Sequence, residues 1–152
     1  MKKLVDRFEV LKIGKARNKS LLDVGAGPLS IVAAKDFNCN VVCVDISQEK
    51  LEEFKTQAEK EHVKNKIKFE KQDAVNLPYP NNKFDIVVSY GTLHHIPLKK
   101  RKKFIYELYR VAKEIIIVEY NKFGFPHSKE EYTRVKLRWL EKQLKSLKNI
   151  KL

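Results

Sequence analysis

At 152 residues the chain is long enough for one domain with its own core. Charged residues make up 34% and hydrophobic residues 43%; this excludes a disordered polymer, and no apolar run reaches the roughly 18 residues of a membrane helix. The formal net charge of +13 keeps RNA open as a partner, beside the plainer reading of a Lys-rich solvated surface.

Short apolar runs alternate with amphipathic stretches along the chain. Ser20-Leu21-Leu22-Asp23-Val24 reads as a first strand, ending in Gly25-Ala26-Gly27. Leu29 to Lys35 reads as a helix, with Pro28 near its first turn, where a missing N–H costs little. Asn40 to Asp45 is a second strand. Cys39 and Cys43 lie too far apart along one strand to pair, and no further metal ligands adjoin them, so buried free thiols are expected. Ser47 is placed to cap a helix from Gln48 to about His62, with Leu51, Phe54 and Ala58 on its buried stripe. Lys66 to Gln72 alternates polar and apolar as a third strand ending at Asp73, and Pro78, Pro80 and Asn81-Asn82 make a loop. Phe84 to Ser89 is a fourth strand, apolar enough for burial on both faces. A helix runs from Pro97 to about Val111, and Glu114 to Glu119 is a fifth strand. A last helix spans roughly Lys129 to Lys148.

This order predicts one domain over residues 1–152, of the α/β class: a Rossmann-like, doubly wound, mostly parallel sheet with helices on both faces. Ligands of such sheets sit at the carboxyl ends of the strands, near the point where strand order reverses. The first strand ends in glycines that let a ligand approach the main chain, and the next helix offers its N–H groups to an anion. Asp45 ends the second strand 18 positions after Gly27, a spacing suited to accepting hydrogen bonds from ribose hydroxyls. Asp73-Ala74 ends the third, pairing a carboxylate with a backbone N–H that can read an adenine edge. Together the three ends suit an adenosine with an amino-acid-like tail.

These stretches, with Val44-Asp45-Ile46-Ser47, Gln72-Asp73-Ala74 and Phe84 to Ser89 leading to Leu93-His94-His95, resemble the class I S-adenosylmethionine (SAM) dependent methyltransferases, in their small-molecule branch. Glu107 to Val111 ahead of Ile116-Ile117-Val118-Glu119 is also similar to that family, and the resemblance runs from about Ser20 to Tyr120. It implies that SAM is the cofactor. It implies that Gly25, Ala26 and Gly27 line the methionine moiety with Asp23 nearby, that Asp45 holds the ribose, and that Ile46 lies against the adenine. Asp73 and Ala74 would face the adenine edge, and Ser89 would sit near the methionine amino group and the methyl.

The sequence departs from the family in four places. Leu29 stands where a third glycine is usual, and no Pro-Gly-Gly turn precedes the fifth strand. The closing antiparallel strands are reduced to, at most, one short strand at Asn149 to Leu152. The N-terminal cover is reduced to some 19 residues. The expectation is a minimal core whose open sheet edge invites a homodimer.

His94, His95 and Glu119 are the candidate catalytic residues, because methyl transfer needs alignment first and a base only when the acceptor must lose a proton. His127, in the Phe123-to-His127 loop, is placed to close over the pocket. No metal motif is present, since His94 and His95 are adjacent and no H-x-x-x-H or C-x-x-C occurs. The expected acceptor is a small molecule. The basic cluster Lys99 to Lys103 reads as a solvated helix face, and the absence of a signal-like stretch after Met1 points to the cytoplasm. Two other readings stay open: an NAD-dependent oxidoreductase, and a SAM-binding domain without turnover that serves as a partner subunit or regulator.

Overall fold

The computed structural model describes residues 6–119 and 137–147. Five strands form one sheet: β1 (Ser20–Val24), β2 (Asn40–Asp45), β3 (Ile67–Lys71), β4 (Phe84–Tyr90) and β5 (Ala112–Val118). All neighbours pair in parallel, in the order β3-β2-β1-β4-β5. Strand order reverses between β1 and β4, so a crevice opens at their carboxyl ends. The helices are α1 (Arg7–Ile13), α2 (Leu29–Asp36), α3 (Gln48–Lys60), α4 (Arg101–Val111) and α5 (Leu137–Ser146).

The strands are apolar on both sides because helices cover both faces. In β1, Leu21 packs with α1, α2 and α3 through Leu11, Ala33 and Leu51. Leu22 and Val24 pack on the other face with Phe104, Leu108 and Leu140 of α4 and α5. Cys39 and Cys43 are buried free thiols, as expected, and burial pushes both thiols up from their ordinary pKa.

Local signals explain the boundaries. Ser47 accepts the Lys50 N–H at 3.2 Å and starts α3. β5 begins at Ala112, two residues before the expected Glu114, and α4 runs into it with no turn between. The missing glycine turn is explained by burial: Val111 and Ala112 are both in the core, so the chain straightens there without leaving it. The Arg110 carbonyl at the helix end accepts the Asn82 N–H at 2.9 Å.

Two further readings are corrected or limited. Arg101 is not part of a solvated basic face: it is only 3% exposed, and its Nε donates to the Ile96 carbonyl at 2.9 Å. The described part of the last helix falls inside its expected span, whereas His127 and the short strand expected at Asn149 to Leu152 lie outside the described residues. Among the described residues no helix is long and apolar enough to cross a membrane.

Candidate functional site

The carboxyl ends of β1, β2, β3 and β4 surround a cleft of about 820 Å³, within the size range of small-ligand sites. At the end of β1, Asp23 lines the cleft yet is 1% exposed. Burial lifts its pKa to about 7, while the Ser30 hydroxyl, which donates to it at 2.7 Å, and the positive charge of Arg7 oppose the rise. Gly25 follows with φ +100°, and its N–H donates to the Val44 carbonyl at 2.9 Å. A Cβ there would overlap Thr92 Oγ1, which is itself fixed by a 2.8 Å bond to the Val24 carbonyl. Gly25→Ala is expected to lose about 2 kcal/mol or more of stability in urea denaturation, from backbone strain and this overlap; an unchanged midpoint would mean that the loop refolds around the methyl. Gly27 differs, because a Cβ there would meet nothing within 4 Å and would stand in open cleft.

At the end of β2, the two Asp45 oxygens accept the Ala26 and Ser47 N–H groups, each at 2.8 Å. This ties the second strand end to the glycine loop. Ile46 beside it is an apolar side chain that lines the cleft and is 70% exposed. At the end of β3, Asp73 accepts the Val75 N–H at 3.0 Å, and Asp73 and Ala74 both reach the cleft wall. Asp23, Gly25, Ala26, Gly27, Asp45, Ile46, Asp73 and Ala74 are thus brought together.

Ser89 lies elsewhere. It is fully buried in β4, in register with Val24 and Ile117, and its hydroxyl has no hydrogen-bond partner in the structure. Strand alternation turns it to the face opposite Tyr90, and Tyr90 lines the cleft instead. The Arg7 guanidinium stacks 4.6 Å from the Tyr90 ring centre. Sequence reasoning missed Arg7 because it left the N-terminus without a helix. The signal was present: Asp6 followed three positions later by Glu9 is a capping pattern, and Asp6 does accept the Glu9 N–H at 2.9 Å. Thr92 and Lys50 also line the cleft, unmarked by any sequence pattern, and so does Phe54, which the sequence marked only as part of the buried stripe of α3.

His94 and His95 follow β4 in a 3₁₀ turn, Leu93–His95, with their rings 4.3 Å apart. His95 is exposed on the cleft wall; its partial burial there, and then the neighbouring His94, lower its pKa. His94 also lines the cleft, but its ring is nearly buried, with Nδ1 2.9 Å from Glu119 Oε2. Glu119 Oε1 accepts the His94 backbone N–H at 3.2 Å. Glu119 is not one of the residues that line the cleft, and its carboxylate is hydrogen-bonded to His94. Among the described residues no group of three or more His, Cys, Asp and Glu side chains is placed to share a metal ion.

A family model described as a methyltransferase domain matches residues 21–114. The chain is 32% identical over 96 residues to ajmaline N-methyltransferase of Rauvolfia serpentina, covering 62% of this chain and 32% of that one. It is 33% identical over 99 residues to 27-O-demethylrifamycin SV methyltransferase of Amycolatopsis mediterranei, covering 62% and 35%. It therefore spans about a third of the length of these curated relatives. A solved SAM dependent methyltransferase from Aquifex aeolicus superposes with a TM-score of 0.74 at 24% identity, over 94% of this chain and 79% of that one, a likeness of fold.

Proposed function

The chain belongs to the class I SAM-dependent methyltransferase family, and from that premise we propose that its cleft binds SAM and that the domain transfers the methyl group to a small-molecule acceptor. The Asp45 carboxylate carries the reading. Its two oxygens are clamped by the Ala26 and Ser47 N–H groups, yet an ionised carboxylate has about four acceptor sites, so two remain for a vicinal diol. The exposed Ile46 beside it offers an apolar surface that a planar base would cover. Open space at Gly27 lets a ligand pass close to the main chain, and Asp23 stands ready for a cationic tail. These residues fit the cofactor.

When bound, SAM supplies an electrophilic methyl carbon on a sulfonium, and the chief demand on the protein is alignment. Tyr90, Thr92, His94 and His95 form the cleft wall after β4 and would orient the acceptor. Two relatives named for small molecules, ajmaline and 27-O-demethylrifamycin SV, support an acceptor of that kind.

Calorimetric titration with S-adenosylhomocysteine, beside NADH, tests the reading. S-adenosylhomocysteine should bind and NADH should not, and Asp45→Ala should weaken the first by at least about tenfold, or 1.4 kcal/mol. An Asp45→Ala affinity within a factor of about two would sink the site assignment. NADH binding would favour the nicotinamide reading. Binding of S-adenosylhomocysteine without methyl transfer to any small acceptor would make the domain a partner subunit or regulator.

A further inference from the structure

We infer that the exposed basic ridge running from Leu98 along the start of α4 is a docking surface for single-stranded RNA, with Lys99, Lys100, Lys102 and Lys103 on the phosphates and Tyr106 against a base.

The sequence concentrates charge here. Between Asp85 and Glu107 it holds no acidic residue, and five basic residues follow one another from Lys99. The fold sorts these five. Arg101 turns into the protein, and the four lysines stay exposed. Tyr106 shares their side of α4. It lies four positions after Lys102 and three after Lys103, the spacing of neighbours on a helix surface, and it is 52% exposed.

The ridge differs from the rest of the basic surface. Lys19, Lys35, Lys64 and Lys113 each meet a carboxylate, at 2.6 to 3.9 Å. A Lys-rich surface balanced in that way serves stability. Among the described residues, no lysine of the ridge forms an ion pair. Lys103 does act on Glu107, but that carboxylate is buried and gripped by Arg110. The start of α4 adds to the imbalance. No side chain caps it, and its first turn holds no acid, so Lys102 and Lys103 face the positive end of the helix dipole. Four uncompensated charges at a helix start favour neither the helix nor the fold; they fit an anion supplied from outside.

A linear polyanion matches the row, because each lysine can meet one phosphate. The exposed tyrosine selects a single strand. Unpaired bases present faces that stack on an aromatic ring, whereas duplex bases are covered by their neighbours. A lipid surface matches poorly. The apolar side chains of α4 are buried in the core, which leaves Leu98, 65% exposed, as the apolar contact of the ridge. Lys100 also stands on the cleft wall, so a bound strand runs past the cleft mouth. Lys99, Lys102 and Lys103 are not among the residues that line the cleft, so docking is separable from ligand binding there.

Fluorescence anisotropy of the full chain with a labelled single-stranded RNA of about 12 nucleotides, and no other ligand, tests this. With four phosphate contacts, affinity should fall about 50-fold between about 50 and 200 mM salt. Lys99→Gln, Lys102→Gln and Lys103→Gln together should weaken binding at least about tenfold at the lower salt and flatten that dependence to about threefold. Lys35→Gln, Lys64→Gln and Lys113→Gln together remove the same formal charge from paired, exposed lysines, and should change affinity by less than about threefold. Tyr106→Ala should cost at least about fivefold with the salt dependence unchanged. Equal loss in the two triple variants would trace binding to net charge and overturn the ridge. Equal affinity for an RNA duplex, tighter binding of single-stranded DNA, or capture by phosphatidylserine vesicles without RNA binding would overturn single-stranded RNA as the partner. S-adenosylhomocysteine calorimetry on wild type and on the ridge triple variant keeps the readings apart. Absent RNA binding sinks the ridge alone, and absent S-adenosylhomocysteine binding sinks the methyl-transfer site alone.

Discussion

Arg110→Ala should lower stability by about 3 kcal/mol in equilibrium urea denaturation. Arg110 and Glu107 lie one turn apart on α4 and face the loop between β3 and β4. Arg110 Nε and Nη2 grip the two Glu107 oxygens at 2.8 and 2.9 Å. The same guanidinium donates to the carbonyls of Tyr79 at 2.6 Å and Leu77 at 3.0 Å. Glu107 in turn accepts the Leu77 N–H at 2.9 Å. One ion pair thus satisfies the backbone of a loop that buries Val75 and Leu77 in the core. Arg110 holds the Glu107 carboxyl below the usual carboxylate range. Removing Arg110 leaves that carboxylate buried with one backbone donor and leaves two carbonyls short of a partner. Breaking a buried pair costs roughly 3–5 kcal/mol, and the lower end applies because the Arg110 side chain is partly solvated. Glu107→Gln, which keeps one acceptor and adds a donor, should cost about 1–2 kcal/mol. A loss below about 1 kcal/mol in Arg110→Ala would mean that water replaces the clamp. The loop begins at Asp73-Ala74, so S-adenosylhomocysteine affinity should fall with stability.

The strand-to-helix rhythm was legible in the sequence because periodicity reports burial directly. Phe84 to Ser89 is apolar on both faces, and both faces are covered. Gly25, Asp45 and Asp73 were legible because parallel sheets place ligands at strand ends. What could not be read depends on pairing between distant segments. Glu119 becomes a partner of His94 only because β5 lies beside β4 in one particular register. Arg101 belongs to a run of five basic residues, and nothing local distinguishes it from its solvated neighbours. Its burial follows from α4 packing its first turn against the His94 turn. Ser89 shows the limit of the strand-end rule: the rule fixes which residues are near a cleft, and the pleat decides which of two neighbours faces it. A one-residue difference separates a buried hydroxyl from Tyr90 on the wall.

The stability of the free protein should fall as pH rises from about 4 to about 7, and Asp23 is the cause. In the unfolded chain Asp23 gives up its proton near the ordinary value of 3.8, and in the folded chain near 7. Between those values the folded state holds the extra proton, so raising the pH favours unfolding; above about 7 both states are ionised and the penalty is constant. The window corresponds to at most roughly 4 kcal/mol from this group. Other carboxylates run the opposite way, since Glu107 and Asp85 are held below their usual range and lose their contribution as pH falls. The difference between wild type and Asp23→Asn isolates the Asp23 part, because the amide accepts the Ser30 hydroxyl without carrying a charge. Urea midpoints of the two should diverge from acid to neutral pH, with the variant the more stable above about 7; parallel curves would show that Asp23 ionises normally. The same residue then links pH to ligand. A cation entering the cleft favours ionised Asp23, so binding must remove the proton below about 7 and need not above it. S-adenosylhomocysteine affinity should therefore rise over the same pH window in which the free protein weakens, and Asp23→Asn should lose both trends together. A buried acid that destabilises the empty domain at neutral pH would in this way be matched to the positive charge of the proposed ligand.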